Sequence, residues 1–271
     1  MENAHNVLTT RTADGNVLQL EYYKTLLSAA ELAREYARTG SPDRYCVLAE
    51  RQSDLSLCGE GTRKSGDTAY GVFLSVILRP RFFPTQAGFL GELAAVALAS
   101  ALEEHTVFPM DIGWVSDIFC DGRRVAGVAM EAMFDRFSAY EYLIVNFAVR
   151  LDPAVFPPRL SDMVKQIFTT DEATLPYLVA KSILDRFFRL YPSVREPEKF
   201  MDEYRHRFVM GGLPAVYLDG AKSRPAKILG VDQKSGELLL ELKSGATVSV
   251  SGKSKLLLPK RPRRRRKTKK S

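Results

Sequence analysis

The chain has 271 residues, 45% hydrophobic and 26% charged, with 39 Lys and Arg against 32 Asp and Glu. That length buries a full core and leaves room for a second small domain. No apolar run approaches the ~18 residues needed to span a bilayer, which argues against a membrane protein.

In chain order, residues 1–15 read as a flexible N-terminus without the apolar core of a secretory signal or an Arg-rich transit helix. "VLQLEYY" predicts a strand, and "SAAELAREYART" a helix with Ala, Leu and Tyr at helical spacing, stopped by Gly40. "YCVLAE" is a short buried strand. The polar, Gly- and Ser-rich segment 51–68 is a long loop of the kind that usually carries function. "YGVFLSVILR" predicts a strand and "QAGFLGELAAVALASALEE" a helix lying over the sheet. "IGWVSDIFCDGRRVAGVAME" follows as strand, polar turn, short strand, an Asp121-Gly122 hairpin and another strand. "YEYLIVNFAVRL" is again a buried strand, and after "DPAVFPP" come helical segments near 160–168, 172–190 and 196–209. Beyond Gly211-Gly212, "AVYL", "PAKILGVD", "ELLLELKSG" and "TVSVSG" are short strands between turn signals, the pattern of a small SH3-like barrel.

The fold class is therefore α+β: a mostly antiparallel sheet with covering helices over 16–210, a barrel over 211–258, and a basic tail over 259–271. Residues 253–271 hold 11 Lys and Arg and no acid. Removing those 11 from the 39 leaves 28 against 32 acidic residues, so a mildly acidic globule carries a very basic end. The tail cations Lys260, Arg261, Arg263, Arg264, Arg265, Arg266, Lys267, Lys269 and Lys270 fit a nuclear import signal or an arm that neutralises nucleic-acid phosphates. Cys46, Cys58 and Cys120 are widely spaced and form no C-x-x-C pair, which fits structural thiols in a reducing compartment. His5, His105 and His206 stand far apart, so no metal site is expected.

The order of elements over about residues 18–258 resembles the biotin protein ligase family, that is, the biotin/lipoate ligase fold with its SH3-like C-terminal module. Four stretches carry the resemblance: "VLAERQ", "YGVFLSVILRP", "GWVSDIFCDGRRVAGVAME" and the barrel sequence from Ala226 to Val250. The third is similar to the family's K-W-P-N-D segment and its R/K-x-x-G-x-x-x-E hairpin. The resemblance implies a two-step reaction. Biotin's carboxylate attacks the α-phosphate of ATP to give biotinyl-adenylate, and a carrier lysine then takes the acyl group. It implies biotin, ATP with magnesium and a biotin carrier domain as ligands and partner. Its ligand-binding positions would be Gln52, Arg63, Lys64, Trp114, Asp117, Arg124 and Gly127.

The chain departs from the motifs in several places. Where the family has arginines in a glycine loop, Ser56 and Cys58 stand, with Asp54 and Glu60 adding negative charge and only Arg63 and Lys64 nearby. Gly113 replaces the lysine before Trp114, and Val115-Ser116 replaces Pro-Asn. The family's S-T-N falls on Leu26-Leu27-Ser28 and its G-x-N on Asn146-Phe147-Ala148. Each preorganised cation or donor lost costs about 3 kcal/mol of transition-state stabilisation. No catalytic residue and no cofactor are therefore expected. The expectation is an intracellular protein that has lost the ligase reaction. Its tail would assemble it with a nucleic acid or nucleoprotein in the nucleus or an RNA-rich organelle assembly, and the ligase-like domain or barrel would meet a protein partner. The alternative is a divergent, active ligase. A lipoate-ligase reading needs a glycine-rich R-R-x-[ST]-G-G-G stretch that "RQSDLSLCGEG" follows poorly. Each matched residue also has a purely structural use. Asp117 can cap a turn, Trp114 can fill the core and Gly127 permits close packing. Arg123 and Arg124 fit a solvated hairpin face, and Gln52 a polar contact at a strand end.

Overall fold

The computed structural model of the chain describes residues 5–13, 15–55, 68–151, 175–220, 222–251 and 256–257. The first sheet is built from β1 (His5–Arg11), β2 (Val17–Leu26), β3 (Tyr45–Gln52), β4 (Ala69–Leu78), β5 (Asp111–Gly113), β6 (Asp117–Cys120), β7 (Arg123–Phe134) and β8 (Tyr140–Arg150). Their order is β1-β2-β3-β4-β8-β7-β6-β5. Only β2 and β3 pair in parallel, because helix α1 (Ala29–Arg38) crosses between them, and every other pair in the sheet is antiparallel. The α+β reading with a mostly antiparallel sheet therefore holds. One part of the expected layout is corrected: His5–Arg11 is not loose but pairs along β2 from His5↔Tyr23 to Arg11↔Val17. Its Val7, Thr9 and Thr10 are β-branched and give it β-propensity that polar flanks mask in the sequence.

Side chains of successive strand residues point to opposite faces, so the sheet has two cores. On one face Leu74, Val76, Val145, Phe147 and Val149 meet α2 (Leu90–Glu103) and α3 (Leu175–Leu190). Helix α2 is apolar nearly all round and buried accordingly. On the other face Ala49, Phe73, Ile77, Ile144 and Ala148 meet Ala29, Ala33 and Ala37, which recur every fourth residue on α1. Ser28 caps α1, its hydroxyl accepting from Glu31 N at 3.4 Å. Gly71 is required where β4 crosses β8, since a Cβ there would lie 2.1 Å from the Val149 carbonyl oxygen. The Asp121-Gly122 hairpin has φ of 48° and 75°, the left-handed pair that such a two-residue turn demands.

After the short helix α4 (Met201–Arg207), β9 (Pro214–Asp219), β10 (Lys222–Val231), β11 (Leu238–Leu242), β12 (Thr247–Val250) and β13 (Leu256–Leu257) form a second sheet, ordered β12-β11-β10-β9-β13. Strand β13 closes against β9 and has no counterpart in the sequence reading. The core of this module (Ile228, Leu238, Leu240, Val250) is continuous with the α2 side of the large sheet. Of the expected loop 51–68, Arg51 and Gln52 belong to β3, and residues 56–67 lie outside the described residues, as do the helix near 160–168 and the tail 259–271.

Candidate functional site

The turn between β5 and β6 is clasped on every side. Trp114 is 1% exposed, and its indole N–H donates to the Gly236 carbonyl of the barrel at 3.3 Å. Tyr204 of α4 donates its hydroxyl to the Val115 carbonyl at 2.8 Å, and Ser116 Oγ donates to the Val128 carbonyl at 2.8 Å. Trp114 thus fills the core and seats the barrel. Gly113 has the opposite meaning from the family's lysine: a Cβ there would come within 2.6 Å of the Phe119 ring and 3.5 Å of Met210 Sδ. The position is closed to any side chain, charged or not, unless Phe119 moves.

Glu92 lies in the same seam, 3% exposed, with its carboxylate 3.2 Å from the point where a Cβ on Gly236 would sit. Burial pushes its pKa up to about 7, because the charged form is desolvated. Tyr204 beside it is held well above its ordinary range by burial first, then by the charges of Glu92 and Asp117.

On the other side of the turn, Asp117, Arg124 and Gly127 come together. Asp117 faces Gly127 across β6 and β7, and Arg124 stands opposite Phe119, two residues along β6 past a register shift. The Arg124 guanidinium meets Asp117 Oδ1 at 2.8 Å, with both side chains about a quarter exposed. This corrects the expectation of a solvated Arg124, and Asp117 is engaged by an arginine beyond any turn cap. A partly exposed, bidentate-capable cation held in one orientation is the group a carboxylate or phosphate needs. Gly127 leaves the sheet beside it without a side chain. Ala148, opposite Gly127, and Arg150, two residues on along β8, continue the same face by alternation. Arg150 is a buried cation that the sequence reading did not single out.

Gln52 stands at the end of β3, with β4 and β8 between it and β7. Its Oε1 accepts from Ala29 N at 2.8 Å, and its Nε2 donates to the Asp54 carbonyl. It therefore ties the strand end to the first turn of α1. Of the S-T-N counterpart, Leu27 is exposed and Ser28 caps the helix. Arg63, Lys64, Ser56, Cys58, Glu60 and all the tail cations lie outside the described residues.

One polar chain was missed. Arg34 of α1 donates through Nε to Glu131 Oε2 at 2.7 Å, and Asn146 Nδ2 donates to Glu131 Oε1 at 3.3 Å. Glu131 is the last residue of the R/K-x-x-G-x-x-x-E hairpin, so half of the signal was present in the motif. Arg34 is reached only through the α1 crossover. Among the described residues no cluster of His, Cys, Asp and Glu could hold a metal ion, and no helix is long and apolar enough to cross a membrane.

An eight-stranded sheet with covering helices is the biotin/lipoate ligase fold, the small five-stranded sheet after it is consistent with an SH3-like module, and the chain is similar in sequence to biotin protein ligases. The particular relatives in sequence are two proteins called bifunctional ligase/repressor BirA. That of Bacillus subtilis is 28% identical over 152 residues, covering 55% of this chain and 46% of the relative. That of Bacillus spizizenii is 26% identical over 235 residues, covering 83% and 70%. The chain thus spans about half the length of the first and most of the second. In structure it is similar to a biotin protein ligase from Aquifex aeolicus in complex with biotin, with TM-score 0.66, 19% identity, and 89% and 97% of the two chains covered. The same ligase in complex with biotin and ATP gives TM-score 0.63 at 18% identity, covering 89% and 98%. A biotin protein ligase-like protein of unknown function from a Silicibacter species gives 0.60 at 17%, covering 90% and 97%. At such identities the structural likeness establishes the fold. No protein-family model matches the chain.

Proposed function

We propose that the chain is a divergent biotin protein ligase, which joins biotin to AMP and then passes the acyl group to a lysine of a carrier domain. The observation that carries the reading is the Asp117–Arg124 pair at 2.8 Å, set opposite Gly127 on adjacent strands. In the first step a carboxylate oxygen of biotin attacks the α-phosphorus of ATP, and the bond to pyrophosphate breaks. Two anions must be held together while charge builds, so a fixed cation at the junction lowers the barrier. Arg124 is that cation, aimed by Asp117, and Gly127 lets the ligand lie close to the backbone. Arg150 adds positive field from the same face, and Gln52 fixes the first turn of α1 at the rim. In the second step the carrier amine attacks the acyl carbon and AMP leaves. Magnesium would accompany the ATP phosphates. Biotin, ATP and a carrier domain should give streptavidin-detectable product. No labelling, with no thermal stabilisation by biotin plus ATP, would contradict the reading.

A second reading, that of a binding protein without the reaction, is favoured by Gly113, where the packing of Phe119 excludes the lysine. In that case the tail from residue 259 joins the globule to a nucleic acid or nucleoprotein. Deleting residues 259–271 should then abolish retention on RNA or DNA in moderate salt and leave the globule folded. Unchanged retention would rule this reading out.

A further inference from the structure

Asn146 sits in the middle of β8, between Ser75 of β4 and Ala129 of β7, and is 3% exposed. Its amide nitrogen donates to Glu131, whose other oxygen is held by Arg34. A carboxylate held by an arginine only accepts, so the nitrogen must face Glu131 and the oxygen must face the other way. Glu131 pairs with Ile144, one same-face step along β8 from Asn146, and Gly127 pairs with Ala148, one step in the other direction. The oxygen therefore points toward Ala148 and Gly127, the strip beside the Asp117–Arg124 pair. That Oδ1 is buried and, among the described residues, has no hydrogen-bond partner. A buried acceptor left unpaired is costly, and native proteins keep one chiefly where something else completes it. Gly127, Ala129 and Ala148 put only small or absent side chains on the sheet just there. So a strip of small residues has, at its edge, one oriented acceptor fixed by an ion pair from α1.

We infer that Asn146, braced by Glu131 and Arg34, is the specificity-determining acceptor for the acyl ligand. It selects a ligand with N–H donors, of the cyclic-urea kind in biotin, over one whose ring offers none. The inference rests on the ligase reading for the nature of the ligand, and the geometry supplies the residue. A site built around a hydrogen bond rejects an analogue that lacks it far more strongly than an apolar pocket rejects a missing methylene.

Biotin and lipoate make the paired probe, since both carry a carboxylate on an alkyl tail but only biotin's ring has N–H donors. Calorimetric titrations of the full chain, of Asn146→Leu (similar volume, no acceptor) and of Asn146→Ala decide it. The wild type should bind biotin in preference to lipoate. Both variants should lose biotin affinity by roughly 10- to 100-fold. Their lipoate affinity should change by less than about threefold. Asn146→Leu should also melt no lower than the wild type, because it removes an unpaired buried oxygen. A merely structural role would lower the melting temperature and weaken both ligands alike, which would overturn the inference. Equal biotin binding by wild type and both variants would overturn it while leaving the ligase reading intact. A wild type that prefers lipoate would overturn the inference and the biotin reading together. A wild type that binds neither ligand, with or without ATP, would overturn both.

Discussion

The two sides of strand β7 show what is scaffold and what is site. On one side Val125, Ala126 and Val128 join the α2 core, where the neighbouring turn is clasped by Trp114, Tyr204 and the barrel. On the other side Gly127 and Glu131 share a face with Arg34, Asn146 and the Asp117–Arg124 pair. The first side is packed, and the polar groups of its turn bond to backbone carbonyls. The second keeps a partly exposed cation and an acceptor with no partner among the described residues. Within one hairpin, one side holds the geometry and the other carries the groups offered to a ligand.

That contrast can be broken in a graded way. The largest effect belongs to Trp114→Ala, which should cost about 3–5 kcal/mol of stability, because a large buried side chain and the barrel contact go together. Denaturant unfolding measures it, and a loss under ~1 kcal/mol would mean that the barrel is seated elsewhere. Next comes Glu92. Its folded-state pKa of about 7 lies above the ordinary value of 4.5. The proton is therefore bound more tightly in the folded state. The resulting stability is complete below the unfolded pKa and is lost as pH rises through the folded one. Glu92→Gln should remove that slope, gaining roughly 3 kcal/mol over the wild type at alkaline pH relative to acid. Parallel slopes in melts across pH would refute the assignment.

Smaller still, Gly113→Lys should destabilise by about 1–3 kcal/mol, since Phe119 must move to admit a side chain. If it were neutral, the turn would have room for the family's lysine and the closed reading of this side would fall. Smallest in stability is Arg124→Gln, at or below ~1 kcal/mol for a partly exposed ion pair. A larger loss would make Arg124 part of the scaffold.

Much of this contrast was legible in the sequence. Alternating and helical apolar patterns mark most strands and helices, and the Asp-Gly turn marks the hairpin, because each depends on local periodicity or backbone conformation. The motif residues Trp114, Asp117, Arg124 and Gly127 could be placed on that hairpin. What each does could not be read. Trp114 faces the barrel across 122 residues of sequence, and Arg124 meets Asp117 only once β6 and β7 pair. Asn146 could be aligned with the family's G-x-N, but its bond to Glu131 is seen only once β7 and β8 pair and the α1 crossover brings Arg34, 112 positions earlier, to the same carboxylate. Strand β1 was missed because it needs β2 as a partner, and β13 because two residues carry no period.

The most direct test of the central claim is formation of biotinyl-adenylate, followed by mass spectrometry in wild type and Arg124→Gln with biotin, ATP and magnesium. The account predicts adenylate from the wild type and a rate at least about 100-fold lower in the folded variant. No adenylate from a folded wild type, or equal rates in the two proteins, would contradict it.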